Sequence, residues 1–175
     1  MKKILLFCAV CAALIFGCKT NSNSADTKKL ILTFESKSNS QVTGTASFVE
    51  KKGSVTFSAT VSGLQPGPHA IHIHEKSDCS AADGSSAGGH WNPTFKKHGK
   101  WDMGEYHKGD IGNFTADASG KGTISLTTDQ WCIGCGDPAK DILGKGLIVH
   151  QGSDDFTTQP TGNAGARLAC SAIIQ

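Results

Sequence analysis

Ser54 to Val61 alternates without a break, with Val55, Phe57, Ala59 and Val61 on one parity and Ser54, Thr56, Ser58 and Thr60 on the other. A period of two puts alternate side chains on opposite faces of an extended chain. A helix would scatter those four apolar groups around its circumference, so this stretch buries them together only as a strand. Gln41 to Phe48 repeats the pattern, with Val42, Gly44, Ala46 and Phe48 inward. Between the two, Glu50-Lys-Lys-Gly-Ser54 has the composition of a hairpin turn. Leu30 to Phe34 alternates as well, and Ala70 to His74 carries Ile71 and Ile73 on one face. Further short strands fit 112–116, 122–127, 146–150 and 166–174, and Ala118-Ser-Gly-Lys-Gly122 joins two of them tightly. The pattern predicts about eight antiparallel strands and no helix of any length. That is the signature of an all-β sandwich or Greek-key barrel.

Two irregular stretches interrupt this rhythm, Glu75–Gly109 and Gln151–Gly165. Loops of such length inside a compact domain are usually functional. The whole chain has 175 residues, enough for one domain with short extras. Its 17 basic residues nearly balance 15 acidic ones, which argues against a nucleic-acid binder working through a broad basic field.

The N-terminus does not belong to the strand pattern. Met1-Lys2-Lys3 is a positive leader, and Ile4 to Phe16 is an unbroken apolar run. That run is too short for a membrane-spanning helix, which needs about 20 residues, and it fits an export signal. It ends Phe16-Gly17-Cys18, which resembles a bacterial lipobox, with Cys18 acylated as the first residue of the mature chain; a plain secretory signal cut elsewhere is the alternative. Residues 18–28 then form a polar tether, and the domain spans 29–175. The expected location is the cell envelope, with the chain held on a bacterial membrane by lipid. Removal of residues 1–17 takes Lys2 and Lys3 with it and leaves equal numbers of basic and acidic residues. Attraction for an anion must then be local.

The histidines gather where the long loops begin and end. His72 and His74 are two apart on a strand, so their rings share a face opposite Ile71 and Ile73. His90, His98, His107 and Asp110 follow within one loop region, and His150 closes the strand Leu147-Ile148-Val149. Six histidines and one aspartate are enough for one or two metal ions, and imidazole suits zinc and copper. His69, beside the Pro66-Gly67-Pro68 turn, reads instead as a structural hydrogen-bonding residue.

Taken in order, Gly67-x-His69-x-x-His72-x-His74-Glu75, Gly88-Gly89-His90-Trp91-Asn92-Pro93, His98-Gly99, His107-x-Gly109-Asp110-x-Gly112-Asn113, Val149-His150 and Gly162-Asn163-Ala164-Gly165-Ala166-Arg167-Leu168-Ala169-Cys170 resemble the copper–zinc superoxide dismutase family from about Lys29 to Gln175. The resemblance implies an eight-stranded Greek-key barrel with a metal-binding and an electrostatic loop. It implies copper on His72, His74, His90 and His150, and zinc on His90, His98, His107 and Asp110, with His90 bridging. It further implies one copper and one zinc per subunit, Cu(II)/Cu(I) cycling on superoxide, and His90 releasing copper and taking a proton on reduction. Asp154 falls where the family links a copper histidine to a zinc histidine, here His72 and His98, and Asp155 competes for that role. Arg167 is the expected anion-binding residue. A homodimer is one assembly such a chain would form. A non-catalytic copper- and zinc-buffering lipoprotein on the same fold is the alternative.

The cysteines divide accordingly. Cys8 and Cys11 go with the signal and Cys18 takes lipid, which leaves Cys79, Cys132, Cys135 and Cys170, for which three pairings exist. The resemblance implies Cys79–Cys170. Cys132 and Cys135, in Trp131-Cys-Ile-Gly-Cys-Gly136, lie outside the family pattern. A local disulfide is the simplest reading; a redox role and metal capture are the others. Asp154 to Arg167 holds no lysine, so Lys96, Lys97, Lys100 and Lys108 are the candidates for steering an anion.

Overall fold

The computed structural model describes residues 27–175. The stretches read as export signal and tether, with Cys18, lie outside the described residues except for residues 27 and 28. Nine strands follow in order: β1 Lys28–Thr33, β2 Glu35–Ser36, β3 Thr43–Lys51, β4 Ser54–Ser62, β5 Gly67–His74, β6 Gly112–Ala116, β7 Gly122–Thr128, β8 Lys145–His150 and β9 Arg167–Ile173. Their order in the sheet is β1-β3-β4-β7-β6-β5-β8-β9-β2, and every pairing between them is antiparallel. The fold is all-β, a nearly closed Greek-key barrel. Among the described residues no helix is long and apolar enough to cross a membrane.

The strand beyond the expected eight is β2, only two residues long, which pairs Glu35 and Ser36 with Cys170 and Ala169. Only Phe34 separates it from β1, which pairs with β3 on the opposite edge of the sheet. One run of chain therefore touches both edges, and the sheet curls shut. β1 begins at Lys28, the residue that the sequence reading assigned to the end of the tether. Its ammonium donates to the Ile133 carbonyl at 2.6 Å.

The alternating residues pack as their spacing requires. β4 buries Val55, Phe57, Ala59 and Val61 and leaves the serines and threonines half-exposed. The β3–β4 hairpin turns on Lys52 and Gly53, both at positive φ, which is the backbone of a tight two-residue turn. In its register Phe48 sits opposite Phe57, with ring centroids 5.0 Å apart, and Trp131 packs edge-on to Phe48. Each such side chain, fully buried, contributes about 1.5–3 kcal/mol.

β5 departs from simple alternation. Ile71 and Ile73 face the core, yet His72 and His74 on the outer face are fully buried too. The sequence reading placed that pair on an outer face, and in the fold that face is covered by the two long loops. After β5 the chain folds back against it: Glu75 N–H donates to the Gly89 carbonyl at 3.0 Å, Trp91 N–H to Ile73 at 2.8 Å and Ile73 N–H to Gly109 at 2.9 Å. His90 thereby comes to lie in an isolated bridge opposite His74.

Candidate metal centre

Two clusters of ligand-type atoms meet under these loops, and they share one residue. His72, His74, His90 and His150 form the first, and His90, His98, His107 and Asp110 the second; within each, one ligand atom per residue lies within 4.8 Å of the others. All seven side chains are buried. β5 supplies His72 and His74, β8 ends in His150, and the loop between β5 and β6 supplies the rest.

Hydrogen bonds fix the outer nitrogen of most rings and leave the inner one bare. His74 Nδ1 donates to the Gly88 carbonyl at 3.0 Å and His150 Nδ1 to Gly165 at 3.4 Å. Their Nε2 atoms then face each other at 3.4 Å, two lone pairs converging in a buried space. His72 Nε2 donates to Asp154 Oδ2 at 2.9 Å, and His98 Nε2 to Asp154 Oδ1 at 2.8 Å. The inward atoms His72 Nδ1, His90 Nε2, His98 Nδ1 and His107 Nδ1 are buried with no hydrogen-bond partner. Four such orphans in one place are costly unless something else satisfies them. A cation between convergent nitrogen lone pairs does so, and this donor set fits copper on the all-imidazole side and zinc on the side with a carboxylate.

On the all-imidazole side electrostatics point the same way. Burial, reinforced by neighbouring histidines, holds His74 and His150 well below the ordinary histidine value, and His90 down at about 4. These rings are neutral at pH 7, as ligands must be. Burial also opposes charge on His98, but the carboxylates of Asp110 and Asp154 outweigh it and raise its pKa to about 9. Burial would raise Asp110 and Asp154, yet the imidazoles of His107, His90 and His98 close beside the first, and hydrogen bonds from His72, His98 and Phe156 to the second, depress both far below the carboxylate range. Asp110 Oδ1 lies 2.8 Å from His90 Nδ1, and its Oδ2 accepts the backbone N–H of His107 at 2.8 Å and of Gly99 at 3.1 Å.

Arg167 opens β9 opposite His150, just past a bulge that follows Val149. Its guanidinium donates to the carbonyls of Gly84 and Gly88, each at 2.8 Å. Gly88 thus holds both His74 and Arg167 through one oxygen. Asp155 turns to solvent, where hydrogen bonds from Thr158 and Thr157 bring its pKa down to about 2. His69 is buried away from both clusters, its ring between the carbonyls of His150 and Gln65. Of the four candidate lysines, Lys96 and Lys97 line a groove with His90 and His107. Lys108 bonds Gln130, and Lys100 lies over the Phe156 ring.

Two supporting amides escaped the sequence reading. Asn113 clamps the backbone of Asp154 with two bonds of 2.8 Å, and Gln159 clamps that of His98 with two of 2.9 Å. Asn113 stood within a recognised motif, but no local pattern marks Gln159. Cys79–Cys170 and Cys132–Cys135 are both disulfides.

Comparison with known proteins gives this geometry a family. The matched stretch is 37% identical over 122 residues to the copper chaperone for superoxide dismutase of Rattus norvegicus, covering 66% of this chain and 42% of that one. It is 36% identical over 140 residues to the extracellular superoxide dismutase [Cu-Zn] of Caenorhabditis elegans, covering 76% of this chain and 61% of that one. Superoxide dismutase [Cu-Zn] 2 of Aquifex aeolicus is 35% identical over 138 residues, at 76% and 80% coverage. The chain therefore spans well under two thirds of the chaperone's length and somewhat under two thirds of the nematode protein's. The family model for copper/zinc superoxide dismutase matches residues 42–173, which take in β3 to β9 and both loops, and the chain belongs to that family.

Proposed function

We propose that the chain is an exported superoxide dismutase that binds copper at His72, His74, His90 and His150 and zinc at His90, His98, His107 and Asp110. The single observation that carries this reading is His90, whose Nδ1 faces Asp110 in one cluster while its unpartnered Nε2 faces the other. Copper, when bound, supplies the one-electron couple by which one superoxide is oxidised to oxygen and a second, with two protons, is reduced to hydrogen peroxide. The chain's own residues do the rest. Arg167 binds the substrate anion, its charge permanent and its orientation fixed by the Gly84 and Gly88 carbonyls. His90 Nε2, buried without a hydrogen-bond partner, is the atom that would take up a proton and pass it to the reduced substrate. Asp154 holds the His72 and His98 rings with their Nδ1 atoms inward. Lys96 and Lys97 add positive charge at the groove beside His90 and His107.

The disulfides suit an oxidising compartment. Residues 1–17 act in this reading as a signal, Cys18 as the lipid-bearing residue, and 29–175 as the catalytic domain on its tether. Superoxide is the partner that matters, and a homodimer is one assembly the chain would form. Similarity to copper chaperones favours one other reading, a copper- and zinc-binding protein without turnover. Superoxide consumption by copper- and zinc-loaded protein, with His150→Ala as control, separates the two. Stoichiometric metal uptake without superoxide consumption would establish the second.

A further inference from the structure

Away from the histidine clusters, the β7–β8 loop brings three more ligand-type side chains together. Cys132, Cys135 and Asp141 place one sulfur or oxygen each within 4.8 Å of one another. In the structure the two cysteines form a disulfide.

The loop that carries them is built without relying on that bond. Trp131, Ile133 and Ile142 are buried in the barrel core. Cys132 N–H donates to the Lys140 carbonyl at 2.9 Å, and Ile142 N–H to the Cys132 carbonyl at 3.1 Å. Ile133 N–H donates to Glu50 Oε2 at 2.9 Å, while its carbonyl accepts from Lys28. The Trp131 indole donates to the Lys108 carbonyl at 2.9 Å. Gly134 and Gly136 take positive φ, 63° and 74°, so that their N–H groups turn toward Asp141 at 2.9 and 2.8 Å. Those bonds, with one from Leu143, keep the carboxylate ionised against the effect of its partial burial, and Lys28 adds to this. These contacts, none of which involves a sulfur, hold the backbone of the turn and the Asp141 carboxylate.

We infer that the dithiol form of this loop is a second zinc site, with Cys132, Cys135 and Asp141 as protein ligands and water in the fourth position. Two thiolates select a thiophilic ion, and a carboxylate as third ligand favours Zn(II) over Cu(I). Cys135 is exposed and gives a path of entry, whereas Cys132 is buried. Reaching this form takes an external dithiol reductant. It gives up two electrons and two protons and leaves as its own disulfide, while the Cys132–Cys135 bond breaks to two thiols. Zinc then displaces both thiol protons as two Zn–S bonds form. The Cys79–Cys170 bond, with Cys170 fully buried, is the less accessible of the two and survives this treatment.

The protein lacking residues 1–17, with Cys18 acylated or replaced by Ser, is reduced with a dithiol under anaerobic conditions, and mass spectrometry after alkylation identifies the open bridge. Co(II) then serves as probe, because only sulfur ligands give thiolate-to-cobalt charge-transfer absorption and the His/Asp clusters cannot. The expected result is one thiolate-bound equivalent per chain that Zn(II) displaces. Cys135→Ser should abolish the band, and Asp141→Asn should weaken binding at least tenfold. X-ray absorption of the zinc-loaded wild type should show two sulfurs with lighter atoms, which covers the case in which Asp141→Asn disturbs the turn. The inference is overturned if Cys79–Cys170 opens first, if no thiolate band forms, or if Asp141→Asn binds within twofold of wild type. It is also overturned if the reduced pair takes Cu(I) but neither Co(II) nor Zn(II).

Discussion

Replacement of Asp154 by Asn should damage one metal group more than the other, and the structure says which. Oδ1 accepts two N–H groups, His98 Nε2 at 2.8 Å and Phe156 N at 2.7 Å, whereas Oδ2 accepts only His72 Nε2 at 2.9 Å. An amide has one acceptor oxygen and one donor nitrogen. The oxygen will stay where two donors point, so the new NH2 group lands on His72. His72 must then accept at Nε2 and carry its proton at Nδ1, the buried atom that otherwise has no partner. A ring protonated at its inward atom cannot ligate. Loss of an outer hydrogen bond of this kind typically costs ten- to a hundredfold in metal affinity, about 1.4–2.8 kcal/mol. The expectation for Asp154→Asn is that loss in copper affinity, with a smaller loss for zinc. Competition titration against chelators of known strength measures both affinities, and imidazole nitrogen NMR of the metal-free protein reads the His72 tautomer. The reasoning is refuted if His72 keeps its proton at Nε2, or if zinc affinity falls more than copper affinity.

Gly162→Ala should lower both affinities and stability together. An added Cβ would sit 1.8 Å from Asp154 Oδ1 and 2.6 Å from His98 Nε2, at a φ of +68° that costs an L residue about 1–2 kcal/mol by itself; calorimetry and chelator titration check it. Removing both sulfurs of Cys79–Cys170 should cost about 4–5 kcal/mol in the chain-entropy account, against about 2 kcal/mol for Cys132–Cys135, because the closed loops differ so much in length. Denaturant titration of the two double serine variants gives the comparison. Metal-free protein should be most stable near the ordinary histidine value of 6.5. Toward pH 4 the unfolded chain protonates His74, His90 and His150 while the folded state resists, and below the ordinary carboxylate value the depressed Asp110 and Asp154 lose their contribution too. Above 6.5 the benefit of charged His98 fades as pH rises toward 9. Urea midpoints that rise steadily from pH 7 to pH 5 would contradict this.

Strand content, the hairpin at Lys52-Gly53 and the core parity of β4 were legible in the sequence, because a two-residue period is a local property. So were the candidate ligands, since chemistry resides in residue type and the motifs keep their order along the chain. What local pattern could not reveal is what covers a strand's outer face. His72 and His74 looked half-wet by alternation, and they are buried because loops far along the chain close over them. β2 is too short to carry a period, and it forms only because β9 offers an edge. Gln159 meets His98 across 61 residues, Asn113 meets Asp154 across 41, and Asp141 reaches the Cys132–Cys135 turn only through the fold of its own loop. The sequence by itself determined which groups the protein could bring to a metal and that they would ride on a β-scaffold. Only the tertiary structure decided which nitrogen of each ring faces inward, because that choice depends on the hydrogen-bond partner waiting on the other side.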